Sequence, residues 1–394
     1  MSEPSRAGSE PTSCPPSTPR VYAGVDELPS SAVALMERAG ALDFHHGLDW
    51  YRVLSRHAVD PADEIRFHTL EDSRSREVLA VLPLCRPGGR ATSRGARTVT
   101  SLSTFYSSLY APIVSHEYDQ ATVLTRLVAG VCASSPTLDA IRLSPLALEE
   151  PHFEILVRGL RAQGMMVQPY FCFGNWYLEV GDQPYDRYLA ARPSALRNTL
   201  TRKAKKLLAS GRAKLRIVTG GDELAEAVAA YQHIYARSWK VPEPWPEFIP
   251  GLIAACAATR RLRLGLVHVD GEPAAAQVWI VNGPTASIYK LAYDEKFADL
   301  SVGSVLTAHL MQHVIDVDKV ATVDYLTGDD PYKRDWMSHR RERWGILALN
   351  RRTIKGMTGI ARHVGGRVAK TLLMRARGRA RSILRHIGGE SWTS

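Results

Sequence analysis

The sequence predicts an α/β chain of the α+β kind, built on mostly antiparallel mixed sheets. Two observations carry that expectation. Arg263–Val269 and Pro273–Val281 are apolar runs separated by Asp270-Gly271, a hairpin turn signal, and Asn282-Gly283 turns the chain again into Ala286–Tyr293. Helical patterns flank this three-strand unit, and the first half of the chain shows the same coarse order of helix, hairpin, helix and strand. No residue-level repeat accompanies that order, so remote duplication and chance likeness both stay open.

In the first half, Leu28–Ala39 and Trp50–His57 read as short amphipathic helices. Glu64–Leu70 and Glu77–Leu84 read as strands joined by the polar turn Glu71–Arg76. Gly88–Arg97 is a Gly- and Arg-rich loop, Ala121–Ala133 a helix and Ala140–Leu143 a short strand. His152–Gln163 is a helix stopped by Gly164, where left-handed geometry is cheap. A strand at Asn175–Val180 leads into the second half. There Tyr185–Ala190 and Pro193–Ser210 read as helical, Lys214–Val218 as a strand, and Asp222–Trp239 as a long helix with Asp222 at its N-cap. Pro246–Thr259 is a further helix. After the three-strand unit come a helix over Ser301–Val317 and a strand over Ala321–Leu326.

With 394 residues, 45% of them apolar, the chain is long enough for two domains of ordinary size. Met1–Arg20 is rich in Ser, Pro, Gly and Glu and lacks an apolar h-region, so a disordered N-terminus is expected rather than a signal peptide. No apolar run approaches the ~18–20 residues of a membrane-crossing helix. The five cysteines are dispersed, without a CxxC pair, which suits reduced thiols and a cytoplasmic protein. The thirteen histidines include His45-His46 and His309/His313 but no HExxH, so no metal is expected.

The net charge of +10 is concentrated at the end. From Arg351 onward eleven Lys or Arg residues face one acidic residue, Glu390, leaving Met1–Asn350 neutral. Val364, Val368, Leu372, Ile383 and Ile387 fall at helical spacings among these charges. A basic amphipathic tail over 351–394 is expected, with 351–387 meeting an anionic membrane surface. Its glycines weaken it as a free helix. Nucleic acid would attract the same charges, but no reader motif accompanies them.

Three stretches, in this order and spacing, resemble a known family. They are Leu196–Lys203 (LRNTLTRK), Tyr289–Asp294 (YKLAYD) leading into Leu300–Ser304 (LSVGS), and Asp324–Lys333 (DYLTGDDPYK), with Ser238-Trp239-Lys240 also fitting. Together with the order hairpin, strand, Gly-containing loop, helix, strand, they resemble the GNAT acyltransferase superfamily. The resemblance is to the branch found with cellulose or exopolysaccharide biosynthesis genes, related to the Fem-type aminoacyltransferases that carry two GNAT-like domains. It covers Tyr185–Leu349 well and the first half in outline. The superfamily's Q/R-x-x-G-x-G/A loop is reduced here to Ser301-Val302-Gly303-Ser304. The resemblance implies two tandem GNAT-like domains: a degenerate one over 21–180 and a catalytic one over 185–349.

For the chemistry, the resemblance implies acyl transfer from acyl-CoA, without a metal, to an amine. A helix N-terminus binds a pyrophosphate through free N–H groups and its dipole, so Ser301, Val302, Gly303 and Ser304 are candidate donor contacts, with Lys290 beside them. The plainer alternative is that Ser301 caps a helix and Gly303 packs. Asp294 is the candidate base, Tyr325 and Tyr332 candidate donors to the leaving thiolate, and Lys333 or Lys290 a candidate oxyanion holder. Asp294 as a turn cap and Lys333 as a solvated charge stay open. Asp329-Asp330-Pro331 reads as a turn rather than a metal site. Arg197 opens a basic helix that is either a solvated face or an anion patch. Tyr106, Trp239 and Lys240 are candidate acceptor contacts.

The acceptor implied is an envelope or lipid precursor met at the inner membrane face, and a sphingoid base is one member of that class. Two rival readings remain. One is aminoacyl transfer from charged tRNA to a peptidoglycan precursor. The other is a non-catalytic GNAT-like partner in envelope or exopolysaccharide synthesis.

Overall fold

In the computed structural model residues 12–88, 96–134 and 137–363 are described. The first half runs β1 (Ser17–Tyr22), α1 (Ser30–Leu42), α2 (Leu48–His57), β2 (Glu64–Asp72), β3 (Val78–Arg86), β4 (Thr98–Ser101), β5 (Ile113–Val114), α3 (Gln120–Ala133), β6 (Ala140–Ala147), α4 (Pro151–Ala162) and β7 (Met165–Glu179). The second half opens with α5 (Tyr185–Ala190), α6 (Ser194–Thr199) and α7 (Lys205–Ala209), the last two joined by a π-helical turn. It continues through β8 (Ala213–Val218), α8 (Leu224–Ala236), α9 (Phe248–Ala258), β9 (Leu262–Val269), β10 (Glu272–Asn282), β11 (Thr285–Tyr293), α10 (Val302–Asp316), β12 (Thr322–Asp324), α11 (Pro331–Trp336) and β13 (His339–Asn350).

With β5 set aside, the two halves share the series β-α-α-β-β-β-α-β-α-β. All strands lie in one sheet of order β1-β2-β3-β4-β6-β13-β7-β12-β11-β10-β9-β8, with β5 attached to β3. The order is a mirror about its centre, except that each half hands its last strand to the other. β13 pairs with β6, and β7 pairs with β12, while the two pair with each other along the whole of β13. Most neighbours are antiparallel; the parallel pairs are β4 with β6 and β11 with β12.

Side-chain alternation explains the layers. In β9, Leu262, Leu264 and Leu266 face one core, and Val267 and Val269 face another. Such a strand is buried on both faces and reads as a continuous apolar run. The first core is shared between the halves, because α2 packs against α9 there and Trp50 meets Phe248 edge-on at 5.8 Å. Each such aliphatic or aromatic side chain contributes about 1.5–3 kcal/mol through burial. The other face is covered by α3 and α4 in the first half and by α10 in the second. The β9–β10 turn places Asp270 (φ 51°) and Gly271 (φ 84°) both in the left-handed region, as a twisted two-residue hairpin requires.

Four expectations need correction. The segment Met1–Arg20 is not wholly irregular: Ser17–Tyr22 forms β1, an edge strand on which Pro19 is tolerated. β7 starts at Met165, well before Asn175, and β13 was not foreseen at all. Asp222 does not cap α8, which begins at Leu224 with no side-chain cap bond. Of the basic tail, residues 354–363 are helical, while the expected membrane element from 364 onward lies outside the described residues.

Candidate active site

The functional geometry begins where two strands part. β11 and β12 pair in parallel only over Thr285–Ser287 and Thr322–Asp324. Beyond Ser287, β11 stays paired to β10 as far as Tyr293, whereas the chain after Asp324 turns away through Leu326 (φ 54°) and Gly328 (φ 102°). A cavity of about 210 Å³ opens in this fork. From the second half it is lined by Lys240, Tyr289, Lys290, Tyr325, Tyr332, Asp330 and Lys333; from the first half Phe105, Tyr106 and Ser108 close it.

Three lysines line the cleft, two of them paired with carboxylates. Lys290 donates to Glu243 across 2.8 Å, and its ammonium lies over the rings of Phe105 (4.9 Å) and Tyr106 (5.0 Å). Lys333 donates to the Thr327 carbonyl and pairs with Asp330 at 3.2 Å; its burial lowers its pKa. Burial, helped by the Lys290 charge, pushes Lys240 down to about 8. Burial also raises the phenols of Tyr325 and Tyr332, so both remain protonated at neutral pH. Tyr325 reaches Thr307 on the second turn of α10, which ties the cleft to that helix.

The start of α10 is built without a side-chain cap. Ser301 is a left-handed N-cap (φ 54°) whose hydroxyl makes no cap bond, a conformation that costs a non-glycine residue about 1–2 kcal/mol. The Gly303 carbonyl accepts from Gln277 Nε2 at 3.0 Å, and Gln277 also donates to Thr307 while accepting from the Trp279 indole. Gly303 lies close against Tyr293: a Cβ there would come 3.2 Å from the Tyr293 Cδ1. Tyr293 in turn meets the half-exposed ring of Trp239 at 4.6 Å.

The cleft thus brings together Tyr106, Lys240, Lys290, Tyr325, Tyr332 and Lys333. Ser301, Val302, Gly303, Ser304 and Trp239 lie instead around the start of α10. Asp294 is outside the cleft: it is buried, ion-paired with Arg237, and caps the turn before α10 by accepting from Lys296 N at 2.9 Å. Burial alone would raise its pKa, but the Arg237 and Lys296 bonds hold it below the usual carboxylate range. Arg197 sits on the exposed side of α6 and donates to the Arg192 carbonyl. Among the described residues no cluster of three metal-ligating side chains occurs. Glu243, in the Pro-rich stretch VPEPWP, was not singled out from sequence, and neither were Ser108 and Asp43; His45 stood out only as half of the His45-His46 pair. Their signal is spatial, arising only when the first half folds over the fork.

Residues 194–334 match the model of an acetyltransferase (GNAT) domain. Among solved structures, the crystal structure of FemX is similar over 75% of this chain and 94% of its own, at 11% identity and a TM-score of 0.52. A conserved protein of unknown function from Bacteroides thetaiotaomicron is similar over 81% and 95%, at 10% identity and a TM-score of 0.50. No curated protein matches at a significant level. At these identities the structural likeness speaks for the fold alone. The element series of the matched segment recurs in the first half, so one fold occurs twice in the chain, and its second copy holds the residues that match the acetyltransferase (GNAT) domain.

Proposed function

We propose that this fork transfers an acyl group from a coenzyme A thioester to an amine. The carrying observation is that β11 runs from the cleft, at Tyr289 and Lys290, to the uncapped start of α10, where Tyr293 packs on Gly303. Past Ser287 the edge of β11 has no strand partner on the β12 side among the described residues. Such an edge offers N–H and C=O groups to the amides of a pantetheine arm. The first-turn N–H groups and dipole of α10 suit the pyrophosphate, with Lys203 nearby, on the Asp299 carbonyl, as a counter-charge. The 210 Å³ cavity admits the reacting acyl and amine ends and leaves the nucleotide outside.

In this reading Lys240 and Lys333 stabilise the oxyanion, and Tyr332 or Tyr325 supplies a proton to the leaving thiolate. Lys290 is held by Glu243 and contributes field rather than contact. Asp294 positions the α10 turn instead of acting as the base. The division of labour proposed is a first unit over 21–180 that closes the cleft and a second over 185–349 that holds the donor. The acceptor proposed is an amphipathic amine of an envelope or lipid precursor, reached through the basic tail at the inner membrane face.

Calorimetric titration with acetyl-CoA and a long-chain acyl-CoA tests the donor. Saturable binding, tighter for the long chain, is expected. No binding of either, with a product-forming activity abolished by ribonuclease, would replace this reading with transfer from charged tRNA.

A further inference from the structure

On the first-half wall of the cleft three side chains stand in line. The His45 ring lies 2.9 Å from Asp43 Oδ1 through Nδ1, and 2.6 Å from Ser108 Oγ through Nε2. Asp43 is a carboxylate held well below its usual range: burial opposes this, and the His45 contacts outweigh it. In the neutral ring with the Asp43 carboxylate accepting at Nδ1, the proton sits on Nδ1 and Nε2 is left as an acceptor for the Ser108 hydroxyl. His45 is 2% exposed and Ser108 4% exposed, yet Ser108 lines the cavity.

The line is fixed at both ends. Asp43 Oδ1 also accepts the backbone N–H of His45 at 2.9 Å, so one oxygen orients both the turn and the ring. Phe44 and Trp50 both pack against the imidazole, at 3.8 and 5.1 Å. The Ser108 segment is anchored two residues on, where the Tyr110 N–H bonds to the Pro145 carbonyl and the Tyr110 hydroxyl to the Pro83 carbonyl. A hydroxyl bonded to a base, with the base bonded to a carboxylate, is the arrangement of an activated nucleophile.

We propose that Ser108 accepts the acyl group before the amine does. The inference rests on the thioester-donor reading. Ser108 Oγ attacks the acyl carbonyl carbon and its proton passes to His45 Nε2. The oxyanion forms in the cleft that holds the three lysine ammoniums. The C–S bond then breaks, and the thiolate leaves with the proton from His45, which on this two-step route takes the part that Tyr332 or Tyr325 has in direct transfer, so the acyl group remains as a Ser108 ester. The amine attacks that ester carbon, the C–N bond forms, and its released proton passes through His45 to Ser108 Oγ as the C–O bond breaks. The sum is thioester plus amine giving amide plus thiol.

The test uses the full chain without acceptor, in two arms. One mixes it with acetyl-CoA and follows free thiol and the intact mass. The other uses p-nitrophenyl acetate, which needs no coenzyme A site. The expected result is a burst of one equivalent per chain and an acetyl group on the Ser108 peptide. That group is absent in Ser108→Ala and regained, as a thioester, in Ser108→Cys. His45→Ala slows acylation by about 10²–10⁴-fold, the usual range for a general base. Circular dichroism melts identify variants that have lost the fold, and Ser108→Cys keeps the test valid if Ser108→Ala is one. If p-nitrophenyl acetate labels Ser108 but acetyl-CoA neither binds nor labels, the donor reading fails and the nucleophile stands. If acetyl-CoA binds and neither reagent labels Ser108, or His45→Ala labels at the same rate, the nucleophile is overturned and the donor reading survives.

Discussion

Lys290 and Glu243 meet at 2.8 Å with side chains only 13% and 9% exposed. A pair so placed gains little over an apolar substitute, but removing one partner strands the other charge. Glu243→Ala is therefore expected to destabilise by about 3–5 kcal/mol, whereas Glu243→Ala combined with Lys290→Met loses markedly less than the sum. Urea midpoints of the four proteins check this. Additive losses would mean that the two side chains do not depend on each other.

Lys240 gives a pH signature whose sign is fixed. Its folded pKa of about 8 lies below the ordinary 10.5. Between those values the unfolded chain binds a proton that the folded chain does not, so stability rises with pH across that window. Below about pH 8 both states are charged and the penalty is constant. Lys240→Met should therefore be more stable than the parent at pH 7, with the gap closing toward pH 10. Unfolding midpoints at several pH values measure it, and a gap independent of pH would refute the shift.

Gly303 sets two effects against each other. Replacing a helical glycine with alanine favours the helix by about 1 kcal/mol. The added Cβ, however, would stand 3.2 Å from the Tyr293 ring, which leans on Trp239. Gly303→Ala is expected to leave stability within about 1 kcal/mol of the parent while weakening acyl-CoA binding about tenfold, roughly 1.4 kcal/mol. Thermal melts and calorimetry read the two separately. Unchanged affinity would remove the α10 start from the donor site.

The β9–β11 unit was legible because it obeys local rules: buried alternation within runs broken by Asp270-Gly271 and Asn282-Gly283. β13 was not, since its opening residues His339-Arg340-Arg341-Glu342-Arg343 carry no apolar alternation. In the fold those arginines are consumed by partners outside the strand: Arg340 by Asp329, Arg341 by Asp324 and Asn175, Arg343 by Glu149. The same holds for the site. Lys240, Lys290, Tyr332 and Lys333 stand out in stretches that resemble a family, while Ser108 and His45, 63 residues apart, become neighbours only through the first half's own folding.

The exchange of last strands makes the halves interdependent, although each contains a full series of elements. β7 has β13 on one edge and β12 on the other, and β13 stands between β6 and β7. A fragment ending near Gly181 would carry β7 with neither partner and leave the edge of β6 open; the complementary fragment would do the same to β12 and β13. Unpaired apolar edges of this length favour aggregation. The seam is also a polar lock: Asn175 donates to Asp324 at 2.6 Å and to the Leu326 carbonyl at 2.8 Å, and accepts from Arg341 at 2.7 Å. Residues 1–181 and 182–394 expressed alone are expected to be insoluble or to unfold without cooperativity, and co-expressed to form a one-to-one complex. Asn175→Ala in the intact chain should cost about 1–3 kcal/mol for the buried groups it leaves unpaired. Size-exclusion chromatography and denaturant melts decide the matter. Cooperative unfolding of either fragment at the midpoint of the whole chain would show that the exchanged strands do not hold the halves together.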